Sequence, residues 1–198
     1  MRASTRREFV AGPAGRIECA VDSPEGEARG VALIAHPHPL FGGSLDNKVV
    51  QTLARAFVEL RYQTWRPNFR GVGQTEGVHD EGRGELDDLA AVFNHVRTEK
   101  FVLAGFSFGA SLMAKLAEKE KPEWLVLVGV GITRIMAPPV PARTLVIHGE
   151  NDDTVPLAAV MDWARPQELP VVVVPGADHF FHRKLHILRA LVQGYWRS

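Results

Sequence analysis

Short, uninterrupted apolar runs rich in β-branched residues alternate along the chain with stretches whose apolar residues recur at helical spacing. This alternation constrains the fold more than any other feature. The runs cover residues 31–35, 62–69, 101–105, 124–129, 144–148 and 171–174. All but the second are apolar on consecutive residues, as expected of strands covered on both faces. Between them, Val49, Val50, Leu53, Ala54, Phe57 and Leu60 form one helical stripe, and Leu86, Leu89, Ala90, Phe93 and Val96 form another. Residues 107–119, 157–165 and 185–196 predict three further helices. Residues 7–21 predict one or two early strands turned at Gly12-Pro13-Ala14-Gly15. The pattern predicts an α/β fold with a mainly parallel central sheet and helices on both faces. Residues 1–198 are read as a single domain with a flexible lead-in at 1–7. There is no internal repeat, and the Pro138-Pro139-Val140-Pro141 patch is too short to divide the chain.

Charge removes some functional classes. Lys plus Arg and Asp plus Glu both total 23, so the formal net charge is zero and no nucleic-acid partner is expected. One cysteine, Cys19, cannot form an intrachain disulfide framework. The basic start soon reaches Glu8, with no apolar segment of a secretory signal before Gly12-Pro13. The longest strongly apolar stretch, 124–132, is too short to span a membrane. A cytoplasmic location is therefore the expectation. A homodimer through an exposed face is compatible with the sequence, which leaves the oligomeric state open.

Chemistry enters at Gly105-Phe106-Ser107-Phe108-Gly109, where a strand candidate runs straight into a helix-forming segment. Small residues flanking a serine allow a sharp strand-to-helix turn that lifts the hydroxyl above the sheet edge. Amides of the first helical turn then point toward developing negative charge. Ser107 is thus a candidate nucleophile; the plainer alternative is a helix-capping serine with Phe106 and Phe108 filling the core. A serine hydroxyl needs a neighbouring base. Among eight histidines, His179 follows the 171–174 strand on a loop at the same sheet end as Ser107. His182, three residues on, is read as the start of the last helix. A carboxylate should orient the imidazole, and Glu150, Asp152 and Asp153 all compete in the loop after the 144–148 strand.

The order Ser, Asp, His resembles the α/β-hydrolases, and more narrowly the small, lidless serine hydrolases related to the dienelactone hydrolase and short-chain carboxylesterase families. The resemblance runs through His36-Pro37-His38-Pro39, Arg70-Gly71-Val72-Gly73, the serine turn, the 148–156 loop and the His179 loop. The family motif His-Gly, two residues, Asp, two residues, Val-Pro falls on His148, Gly149, Asp152, Val155 and Pro156, and implies Asp152 as the acid. The dienelactone hydrolases proper use a cysteine nucleophile, so Ser107 favours ester over lactone chemistry.

Acyl transfer also needs donors for the developing oxyanion. The resemblance implies the backbone N–H of Phe108 as one. Pro37 and Pro39 carry no N–H, which leaves His38 or Leu40 for the second; the family correspondence selects His38, with Leu40 as the alternative. Phe41, Phe106, Phe180 and Phe181 are candidate pocket residues. Arg70 is read as a loop anchor. The short 130–143 connection has no room for a large cap. The implied activity is hydrolysis of small or medium carboxylic esters or thioesters through an acyl-enzyme, with a small acyl substrate and no cofactor or metal. A lactone hydrolase and a non-catalytic ligand-binding protein are the alternatives. The pairs His36-x-His38 and His179-x-x-His182 fit no recognised zinc spacing.

Overall fold

The computed structural model describes residues 5–196. Its single eight-stranded sheet is built from β1 (Arg6–Gly12), β2 (Gly15–Asp22), β3 (Gly30–Ala35), β4 (Tyr62–Pro67), β5 (Phe101–Phe106), β6 (Trp124–Val128), β7 (Thr144–Gly149) and β8 (Val171–Val174). The spatial order is β1-β2-β4-β3-β5-β6-β7-β8. β1 and β2 form an antiparallel hairpin closed by the Gly12–Gly15 pair, and β2 also runs antiparallel to β4. Every other pairing is parallel. Of the lead-in expected at 1–7, residues 1–4 lie outside the described residues. Arg6 and Arg7 are not a loose tail: they pair with Val21 and Ala20 in the hairpin.

Five helices cover the sheet: α1 (Lys48–Glu59), α2 (Arg83–Val96), α3 (Phe108–Glu120), α4 (Leu157–Ala164) and α5 (Leu185–Tyr195). α1 and α5 pack on one face, where Val50, Leu53, Phe57, Leu188 and Val192 join Ile34, Val126 and Ile147. α2, α3 and α4 cover the other face, with Leu89, Phe93, Leu112, Leu116 and Val160 against Leu33, Leu103 and Leu127. β3, β5 and β7 are buried along their whole length, which is why they read as unbroken apolar runs. β8 departs from that expectation. It is the edge strand, and Val173 is exposed, because no ninth strand pairs beyond it.

Close approach of α3 to β3 explains the glycines around the serine. A methyl on Gly109 would press into the carbonyl oxygens of Ala35 and His36, and one on Gly105 would lie 2.6 Å from the amide nitrogen of Ala110. Arg70 anchors the loop after β4. Its Nε and Nη2 donate to the two oxygens of Asp88 at 2.8 Å each, and Nη2 also donates to Gly84 O at 2.7 Å. The connection between β6 and β7 holds turns only, so no cap covers the sheet end. Among the described residues no helix is long and apolar enough to cross a membrane.

Candidate active site

The parallel strands deliver their following loops to one end of the sheet, and the loops after β3, β5, β6, β7 and β8 build the site. Ser107 is the single residue between β5 and α3. Its backbone has φ 55° and ψ −118°, a region that L-residues other than glycine rarely occupy. Four bonds hold the turn: Ser107 N–H donates to Val128 O at 2.9 Å, while Ala110, Ser111 and Gly131 N–H donate to Ser107 O at 3.0, 3.2 and 3.1 Å.

His179, on the loop between β8 and α5, is 2% exposed and lies with its ring 4.9 Å from that of Phe106. Its Nδ1 lies 2.7 Å from Asp152 Oδ2 and its Nε2 lies 3.0 Å from Ser107 Oγ. A carboxylate only accepts, so Nδ1 carries the proton and the bare Nε2 accepts from the serine hydroxyl. The structure therefore brings Ser107, His179 and Asp152 into one hydrogen-bonded line.

Asp152 is fixed from several sides. Oδ1 accepts from the amides of Thr154 at 3.0 Å and Val155 at 2.7 Å. Burial by itself would raise its carboxyl. The hydrogen bonds from His179 and the Val155 amide outweigh burial and hold it below the usual carboxylate range. The competing acids stand elsewhere. Asp153 is exposed, and Glu150 Oε2 accepts from Gly176 N–H at 2.7 Å. Together with the Asn151 N–H bond to Ala177 O at 2.8 Å, that contact ties the acid loop to the histidine loop. His148 is packed beneath the site. Its Nε2 donates to Val155 O at 2.9 Å and lies 3.4 Å from Asp152 Oδ2, and burial lowers its pKa.

The loop after β3 faces Ser107. His36 is fully buried and neutral: Nδ1 donates to Pro37 O at 2.7 Å and Nε2 accepts from Phe69 N–H at 2.9 Å. Burial takes its pKa down to about 3. This imidazole joins the loops after β3 and β4. His38 packs its ring 4.6 Å from that of Phe108. Its pKa is lowered first by burial, then by His79 and Arg134, with Glu85 acting the other way. Leu40 is exposed and its N–H donates to His38 Nδ1 at 3.3 Å. The backbone amides of Phe108 and His38, by contrast, have no hydrogen-bond partner among the described residues.

A cavity of about 260 Å³ opens over Ser107 and His179. Phe41 and Phe180 line it, together with Phe108, Asn47, Val155 and Arg134. Two of the expected pocket residues do not. Phe106 and Phe181 are fully buried in the core on the α1–α5 face. Phe106 ends β5 with its side chain toward that face, and Phe181, at φ 54°, turns inward next to the exposed Phe180. His182 does not start α5, which begins at Leu185. It sits in the preceding turn with Nδ1 2.7 Å from Asp178 Oδ2. Neither Arg134 nor Asn47 was expected in the cleft. Asn47 is of a residue type that favours helix caps and precedes the α1 stripe, a signal that could have marked it; its Oδ1 accepts from Val49 and Val50 N–H. Arg134 lies in a short connection without periodicity, so nothing local marked it.

This fold and this strand-to-helix turn define an α/β-hydrolase. The chain belongs to the alpha/beta hydrolase fold family, whose pattern it matches over residues 38–139. Among solved structures, it is 39% identical to an alpha-beta serine hydrolase homologue from Coxiella burnetii, which it matches over 96% of each chain with a TM-score of 0.86. It is 38% identical to XC6422 from Xanthomonas campestris, a serine hydrolase without a lid, over 100% of this chain and 95% of that one, at a TM-score of 0.92. It is also 30% identical to the uncharacterized protein RP471 of Rickettsia prowazekii, over 94% of this chain and 87% of the relative. The architecture is that of a small α/β-hydrolase lacking a lid.

Proposed function

We propose that the protein hydrolyses small or medium carboxylic esters or thioesters through an acyl-enzyme on Ser107. The observation that carries this reading is the unbroken line from Asp152 Oδ2 through His179 to Ser107 Oγ, at 2.7 and 3.0 Å. Ser107 Oγ attacks the acyl carbon while His179 Nε2 takes its proton, and Asp152 remains ionised and steadies the imidazolium. The N–H groups of Phe108 and His38 hold the charge that collects on the carbonyl oxygen. As the bond to the leaving group breaks, His179 returns the proton to it. Water, deprotonated by the same nitrogen, then attacks the acyl carbon and releases the acid and the free serine. No cofactor takes part in these steps. The uncapped cavity with Phe41, Phe108, Val155 and Phe180 on its walls supports a compact, partly apolar acyl group.

The test is intact-protein mass spectrometry after a serine-directed phosphonate, run beside an ester, thioester and lactone panel of graded acyl length. A single adduct that disappears in Ser107→Ala, with turnover of short acyl esters, is the expected result. Undiminished labelling of Ser107→Ala would overturn the assignment of the nucleophile. Selective turnover of a cyclic lactone would move the substrate class, and saturable binding without turnover would favour a ligand-binding role.

A further inference from the structure

Among the described residues the cavity over Ser107 is lined by no aspartate or glutamate, and Arg134 is the one lining side chain that is always charged. Arg134 belongs to the turn after β6, where its N–H donates to Gly131 O at 3.1 Å. Its guanidinium carbon lies 4.5 Å from the centroid of the Phe41 ring, so an aromatic residue from the loop after β3 supports it at the cleft. No carboxylate pairs with Arg134 among the described residues. Other arginines, such as Arg66 and Arg70, are paired with Asp22 and Asp88 at 2.8 Å. Asn47 lines the same cavity; its Oδ1 is taken by the first amides of α1, while Nδ2 has no partner among the described residues. The cleft thus combines apolar walls, an exposed cation with no hydrogen-bond partner for its guanidinium among the described residues, and one further neutral donor.

Resting on the reading of this cleft as an ester or thioester site, we propose that Arg134 recognises a second, anionic group on the substrate, and that this group is a carboxylate. A single guanidinium balances a single carboxylate and can hold it through two parallel N–H donors. A phosphate dianion would leave net negative charge in a cleft where the described residues supply no second permanent cation. The substrate class is therefore the half-ester or half-thioester of a dicarboxylic acid, or an ester whose alcohol part bears a carboxylate.

The test compares matched pairs that differ in that charge. On the acyl side, para-nitrophenyl hemiadipate is set against para-nitrophenyl heptanoate. On the leaving-group side, para-carboxyphenyl butyrate is set against its carboxamide. In the native enzyme at low salt at least one pair should favour the carboxylate. The carboxylate-to-neutral ratio of kcat/KM should fall about fivefold or more in Arg134→Gln, with part of it kept in Arg134→Lys. The preference should also weaken as salt is added. A ratio in Arg134→Gln equal to that of the native enzyme in both pairs would overturn the proposal. Dissociation constants of the same compounds for Ser107→Ala, with and without Arg134→Gln, separate the two readings. Loss of turnover on all four esters with an Arg134-dependent preference in binding would remove the hydrolase reading and keep the anion site. Turnover of all four with no such preference would do the reverse.

Discussion

Asp152 and Asp153 are neighbours in sequence with opposite surroundings. Asp152 is buried and accepts from two amides and His179, whereas Asp153 faces solvent beside the hydroxyl of Thr154. Replacing Asp152 by Asn exchanges an acceptor for a group that can donate to His179 Nδ1, which puts the imidazole proton on the wrong nitrogen. Asp152→Asn should therefore lower kcat by about a hundredfold or more with the fold intact. Asp153→Asn should stay within about threefold of the native enzyme, as surface changes generally do. Steady-state kinetics of both variants, with circular dichroism to check folding, decides this; a larger loss in Asp153→Asn would put the acid in the wrong register. Place in the loop favoured Asp152 or Asp153 over Glu150, which follows the strand more closely, and only the spacing of the family motif separated the two aspartates. The phenylalanines show the complementary limit. Phe106 and Phe108 flank Ser107, but the positive φ between them breaks the strand alternation, and the two rings enter cores on opposite faces of the sheet.

At the level of elements, the junction of β5, β3 and α3 fixes where the serine stands. α3 can lie close enough to β3 only because position 109 has no side chain. Gly109→Ala must push the helix away from the carbonyls of Ala35 and His36, since neither is the free end of a flexible side chain. A loss of about 2 kcal/mol or more of stability is expected, together with weaker activity in the fraction that still folds. Urea unfolding measures the first and active-site titration with a phosphonate the second; an unchanged midpoint would show that the junction has slack. The helices and strands themselves were legible because their burial is one-sided or complete and therefore periodic. β8 was misjudged because an apolar edge strand and an apolar central strand have the same sequence pattern. What distinguishes them is the number of neighbours, and that is settled by chain topology.

For the whole molecule, the buried histidines couple folding to pH. His36 is folded in its neutral form with a pKa of about 3, against an ordinary value of 6.5. The unfolded chain therefore binds the extra proton first. The stabilisation is fully present above about pH 6.5 and is lost progressively as pH falls from there toward 3. His148 is shifted in the same direction by burial, so it adds to the same loss. His36 alone should lower stability by roughly 2 kcal/mol between about pH 7 and pH 5. Denaturant midpoints across that range test the global effect. The imidazole resonances of His36 test its source: they should remain those of a neutral ring down to about pH 5, and a midpoint near 6.5 would contradict the assignment.

The backbone at Ser107 sets two demands against each other. At φ 55° and ψ −118° the conformation suits glycine, while the proposed chemistry requires a hydroxyl at that position. Folding alone would be better served there by a residue without a side chain, so the side chain of Ser107 is held at a cost in backbone strain that the proposed chemistry gives a reason for. The bond from Ser107 N–H to Val128 O and those that Ser107 O accepts from Ala110, Ser111 and Gly131 all use backbone atoms, so the turn is held without engaging the hydroxyl.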